Sequence, residues 1–248
     1  ISCSLVGSEM CIRDSSKIAQ PEKDELLFTV KNQKNTWKLL ISASASLPLV
    51  YFTENNKQSP LTAPNFCMLL RKHIGNGRIM RISQPGLERI LCMEIEHLDE
   101  LGDRRTKKLM IEIMGKHSNI IFCNEEDMIL DSIKHISAQV SSIREVLPGR
   151  KYFIPQTMDK KDPLTITEEE FISTIRHAAA PVQKSLYLNL TGISPIIGHE
   201  LCHLASIDGD HSANELSETE LLHLYRMFSF MIEAVSYTHL RAHETAAN

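Results

Sequence analysis

The spacing of apolar residues changes period once along this 248-residue chain, near residue 155, and that change limits the folds open to it. Before it, short runs rich in branched and aromatic residues are separated by polar turns: ELLFTV (25–30), TWKLLISA (36–43), PLVYFT (48–53), RIMRIS (78–83), RILCMEIE (89–96), KKLMIEIM (107–114), NIIFCN (119–124) and DMILDSIKHI (127–136). Alternation of period two puts successive side chains on opposite faces of a strand. In KKLMIEIM it sets Leu109, Ile111 and Ile113 on one face against Lys108, Met110, Glu112 and Met114 on the other. One helical stretch interrupts the strands, PNFCMLLRKHI (64–74). Phe66, Leu69, Leu70 and His73 lie near one of its faces, Cys67 and Met68 read as core, and Gly75-Asn76-Gly77 stops it.

After IPQTMDKKDP the period becomes helical. Thr167 with Glu170 three residues on forms a capping box. A second helix covers 182–190 and stops at Thr191-Gly192, and Ser194 caps a third whose first position is Pro195. Ser217 with Glu220 opens a fourth, running to about residue 234. The expected class is therefore α+β. A mostly antiparallel β domain with one helix (16–155) is joined by a linker (156–163) to a small helical domain holding a helix–GISP–helix hairpin (164–235). Residues 1–15 and 236–248 carry neither period and read as non-native tails.

Charge divides at the same place. Residues 16–163 carry 22 Lys and Arg against 18 Asp and Glu, whereas 164–235 carry 3 against 10. The net −4 averages a mildly basic half with an acidic one, so a polyanion is expected to meet the first half. The six cysteines are scattered without a CxxC pair, which suits a reducing compartment better than a disulfide framework. No apolar run reaches the ~18 residues of a membrane helix, and no signal peptide is visible.

Several strings resemble the NFACT family, ribosome quality-control proteins of the RqcH and NEMF type, called fibronectin/fibrinogen-binding proteins in older bacterial naming. They are QPEKDELL (20–27), KLLISASAS (38–46), PNFCMLLRKHI (64–74), QPGLERI (84–90), IEIMGKHSNII (111–121), DSIKHIS (131–137), REVLPGRKY (144–152) and LTGISPIIGHEL (190–201). The resemblance spans about 16–235. It implies an NFACT-N domain followed by a helix-hairpin-helix-like domain, an arrangement similar to formamidopyrimidine-DNA glycosylases. It further implies a cytoplasmic, non-enzymatic factor without cofactor. Such a factor binds the large ribosomal subunit obstructed by peptidyl-tRNA and recruits alanine tRNA for C-terminal tailing of the nascent chain. The family's Asp-Arg pair for tRNA falls on Glu88-Arg89, which keeps the carboxylate and lengthens it by one methylene. The family's N-terminal Phe-Asp-Gly motif, coiled coil and NFACT-R domain have no counterpart here, so the chain reads as a fragment.

The chemistry of the residues agrees with that implication. Arg89 can fork onto a phosphate or a base edge, and Glu88 can accept from an exocyclic amine or a ribose hydroxyl. Arg71, Lys72, Lys116, His117, Lys134, His135 and Arg144 are candidates for a basic surface along an RNA backbone. His117 and Asn119 are expected to be exposed in the GKHSN turn. Against this stand plainer readings: a solvated helix face for Arg71-Lys72, surface ion pairing for Glu88-Arg89, and strand punctuation for GKHSN.

Three other functions compete. His199-Glu200-Leu201-Cys202-His203 is a literal HExxH, which sets two zinc ligands on one helical face with Glu200 as general base. A third ligand is harder to find, since the metzincin spacing meets Ser206 and Gly209. Glycosylase chemistry needs an N-terminal proline, which is not seen. Surface adhesion to fibronectin would follow the older family name.

Overall fold

The computed structural model describes residues 13–32, 35–141, 144–154 and 160–244. Most of the expected N-terminal tail (1–12), the first half of the linker with the residue before it (155–159) and the last four residues lie outside them. The described residues form two antiparallel sheets and five α-helices, an α+β protein. Backbone contacts divide the chain into two units: 1–85 with 89–155, and 86–88 with 156–246.

In the first unit, β1 (Arg13–Ala19), β2 (Glu25–Lys31), β3 (Thr36–Ser42) and β4 (Leu49–Thr53) form one meander, in that order. The second meander is β5 (Arg78–Ser83), β6 (Ile90–Leu98), β7 (Arg104–Glu112), β8 (Asn119–Cys123) and β9 (Ile129–Ser132). Between the two meanders in the chain comes α1 (Asn65–Ile74). Phe28 and Ile41 of the first sheet, Leu70 and Ile74 of α1, and Met93, Ile95, Leu109 and Phe122 of the second close on one another in a single core.

Four expectations about this unit change. β1 precedes the first expected strand and escapes a period-two reading, because its pairing with β2 shifts register twice between Arg13 and Lys17. α1 buries Phe66, Cys67, Leu70 and Ile74. Leu69 and His73 are only half-buried and Met68 is 47% exposed, so the buried face is rotated from the expected one. At the stop of α1 it is Asn76 that takes the positive φ, at 62°; Gly75 is extended. The strand expected over 127–136 is reduced to β9.

The alternation in β7 is real, but its polar-looking face is buried too. Leu109 and Ile111 join the main core. Met110 packs with Ile90, Cys92, Ile121 and Cys123 on the opposite side, beneath Val146 and Tyr152. That second layer encloses the Glu112 carboxylate.

The second unit contains α2 (Glu168–Arg176), α3 (Val182–Asn189), α4 (Pro195–Leu204) and α5 (Glu218–Glu244). Thr167 and Glu170 exchange both bonds of the capping box, and Ser194 accepts from Ile197 N with Pro195 following it. Phe171, Leu186, Leu201, Leu224 and Phe228 are fully or almost fully buried, with Phe171 stacked on Phe228 at 4.7 Å between ring centroids. Four cysteines (Cys67, Cys92, Cys123 and Cys202) are free and buried. No helix among the described residues is long and apolar enough to cross a membrane.

Candidate RNA-binding surface

Arg89 sits directly before β6, and its backbone is held in place. The amide of Ile113, just past β7, donates to the Arg89 carbonyl at 2.8 Å. The side chain is exposed. It stands beside an apolar cavity of about 210 Å³ whose other lining includes Pro48, Leu49, Ile90, Leu91 and Ile113. A guanidinium anchored through its backbone and free at its tip suits recognition of a phosphate or base edge. Glu88 is half-buried and is grouped with the second unit.

The GKHSN string turns between β7 and β8 at the same end of the sheet. Residues Gly115–His117 form a single 3-10 turn, with Lys116 and His117 exposed. Asn119, expected to be exposed, is fully buried. Its Oδ1 accepts from Ile120 N at 2.9 Å and Lys134 N at 3.1 Å, and its Nδ2 donates to Lys134 O at 2.9 Å. It staples the start of β8 to the segment after β9, because a buried amide must find partners.

Lys134 is used in the same joint. Its ammonium donates to Ser118 O at 3.0 Å and to Ala43 O, tying the ISASAS, GKHSN and DSIKHIS segments together. Burial lowers its pKa. His135 is exposed, with Nε2 2.6 Å from Asp131 Oδ1. Arg89, Lys116, His117 and His135 therefore belong to one end of the second sheet, while Asn119 and Lys134 build that end.

Arg144 is the clearest correction. Expected on the surface, its side chain is only 9% exposed and pairs with Glu112, whose side chain is 0% exposed. Tyr152 Oη donates to the other carboxylate oxygen at 2.9 Å, and Arg144 Nη1 donates to Phe153 O at 3.1 Å. Its charge is neutralised inside the layer over β7, so it is structural. Arg71 is shared: Nε donates to Ile18 O at 2.6 Å, while the residue stays exposed. Lys72 is exposed at the far end of α1 and lines a different cavity.

His199, Glu200 and His203 are exposed on α4, and the intervening Leu201 and Cys202 fill the core. No group of three His, Cys, Asp or Glu capable of holding a metal occurs among the described residues. His97 and Lys107, which line one cavity with Lys72 and His73, were not singled out by the sequence reading. The cue was the RRTKK run at the start of β7, whose pairing opposite His97 brings basic and imidazole groups together.

The model of the NFACT N-terminal and middle domains matches residues 14–247. The protein called Rqc2 homolog RqcH in Bacillus subtilis is 38% identical over 193 residues, covering 77% of this chain and 34% of that one. The chain thus spans about a third of the length of the curated relatives it matches. Among solved structures, the fibrinogen binding protein of Staphylococcus aureus superposes with a TM-score of 0.74 at 28% identity, over 91% of this chain and 76% of that one. The N-terminal part of the fibronectin/fibrinogen-binding protein of Streptococcus suis superposes with a TM-score of 0.69 at 30% identity, over 88% and 77%.

Proposed function

Since this chain belongs to the NFACT family, whose N-terminal and middle domains it carries, we propose that it is the RNA-binding front of a ribosome quality-control factor. In this reading it binds tRNA and the obstructed large ribosomal subunit in the cytoplasm, and supports alanine tailing of stalled nascent chains. It performs no chemistry itself; peptide bonds are made by the ribosome's catalytic centre. The observation that carries the reading is Arg89, an exposed guanidinium on a pinned backbone, where the family's tRNA-recognising pair falls. Lys116, His117 and His135 at the same end of the sheet add donors for an RNA backbone.

The test is Arg89→Ala. A change at an exposed side chain usually costs under ~0.5 kcal/mol of stability, so the variant should fold normally and lose tRNA co-purification. Wild-type levels of bound tRNA in that variant would sink the assignment.

The names of the two structural neighbours favour a second reading, adhesion to fibronectin or fibrinogen. Fractionation of the intact protein separates the two. A cell-surface pool larger than the ribosome-bound pool would favour adhesion.

A further inference from the structure

A cavity of about 530 Å³ in the first unit is at the opposite end of the second sheet from Arg89. Seven residue steps along β6 separate Ile90, beside Arg89, from His97 in the cavity wall, roughly 23 Å at strand rise. It is therefore a place separate from the Arg89 surface, and tRNA recognition by Arg89 does not use it.

Its walls carry both signs of charge in a sorted way. Lys72 and His73 come from the last turn of α1, His97 from the end of β6, and Lys107 from β7. Neither lysine side chain forms an ion pair or hydrogen bond among the described residues. His73 lies within the lysines' field: burial first, then Lys107, Lys72 and His97, lower its pKa, with Glu100 opposing. The acids of the rim are largely occupied. Asp99 accepts from Leu101 N and Asp103 N, each at 2.9 Å, and from Arg105 Nε at 3.3 Å. Glu125 accepts from Thr106 N at 2.6 Å, and Glu126 from Asn124 Nδ2 at 3.1 Å. Glu100 has no such partner among the described residues.

One wall atom is unsatisfied. His97 Nδ1 lies 3.1 Å from Leu98 O and must donate to it, since the carbonyl can only accept. That leaves Nε2 an acceptor, and it has neither solvent nor a partner. A buried acceptor without a donor is costly to leave unpaired, so the wall is arranged for something that supplies a hydroxyl or amine.

We infer that this cavity is a ribonucleotide-binding subsite. Its phosphate is met by Lys72 and Lys107, and its hydroxyl or exocyclic amine donors are met by Glu100 and His97. The volume exceeds what a bare phosphate needs, and the pairing of free lysines with free acceptors matches a molecule that carries an anion at one end and donors at the other. A simple cation or a simple anion would leave one of the two sets unused. The site rests on the RNA-binding reading for its natural source, an RNA strand long enough to reach from Arg89, but its geometry is independent of Arg89.

The experiment follows the His73 and His97 imidazole signals by nuclear magnetic resonance while tRNA or, separately, 5′-AMP is added to the chain. Lys72→Gln/Lys107→Gln serves as the variant. Movement of both signals with tRNA and AMP supports a site for a single ribonucleotide; movement with tRNA alone supports one that takes the strand. The double variant should also lower the slope of log affinity against log salt for tRNA by about 1, for the one phosphate that the two lysines meet. Imidazole signals that neither ligand moves, or a salt slope equal to the wild type's, would overturn the inference. If those results came with tRNA binding that Arg89→Ala abolishes, the family reading would stand without this site. If AMP moved the signals while tRNA did not bind, the nucleotide site would stand and the RNA reading would fall.

Discussion

The most consequential residue is one whose role is hidden by its type. Glu112 alternates correctly with the polar face of β7, and Arg144 precedes a Pro-Gly turn, so each reads as surface in isolation. The pair forms across 32 positions of chain, with Tyr152 donating to the same carboxylate and its ring 5.7 Å from the Arg144 guanidinium carbon. Burial, then the neighbouring carboxylate, pushes the Tyr152 hydroxyl pKa up and keeps it a donor. Removing one partner of a buried pair leaves an uncompensated charge, which costs about 3–5 kcal/mol. Glu112→Ala should lose stability on that scale in urea unfolding, and adding Arg144→Met should recover part of it; equal losses would mean that the two are not coupled. Local pattern could not reveal this pair, nor Asn119's burial, because each depends on a partner brought in by the fold. The exposure of Arg89, by contrast, was legible, since a surface position at a strand start needs no partner to be recognised. His73 supplies a pH signature. Its folded pKa lies below the ordinary 6.5, so the unfolded chain takes up the proton first. Stability at His73 should therefore be intact above pH ~6.5 and fall as pH drops through that value toward the folded pKa. His73→Asn should flatten the change in urea midpoint between pH 7.5 and 5.5 if His73 is its source.

Elements were legible where a local rule sufficed. The capping box at Thr167 and the Ser194-Pro195 start are satisfied by residues within three positions, and both helices begin where those residues predict. β1 was not legible, since irregular pairing removes the period by which a strand is recognised. The TGISP turn lies between these cases. Gly192 does more than end α3: it takes a φ of +74°, and a Cβ there would approach Leu87 O to 3.0 Å and Leu87 Cβ to 2.7 Å. A left-handed φ is strained for any residue with a Cβ, by on the order of 1–3 kcal/mol, and the backbone of Leu87 cannot rotate away as a side-chain tip would. Gly192→Ala should lower the thermal midpoint measured by helical circular dichroism. The drop should exceed that of Thr167→Ala, which removes one cap worth about 1 kcal/mol. A smaller drop would mean that the turn relaxes freely.

At the scale of the whole molecule, net charge misleads and its distribution informs. The −4 total hides the opposition between the basic excess of 16–163 and the acidic excess of 164–235. Within the basic half the fold selects particular cations, withdrawing Arg144 and Lys134 from the surface while leaving Arg89, Lys116 and Lys72 exposed. Among the exposed cations of the first unit, Arg89 and Lys116 lie at one end of the second sheet and Lys72 lines the cavity at the other, where a strand of RNA can touch both. α2 begins with Glu168, Glu169 and Glu170, all exposed, and phosphate would be repelled there. Hydrogen exchange with tRNA bound should accordingly slow in peptides covering 84–92 and 113–119, and at 97–107 if the second cavity is occupied. Peptides over 168–176 should exchange as in the free chain. Protection centred on α2 instead would mean that the acidic unit, against its charge, is the RNA-binding one, and the charge argument would fail with it.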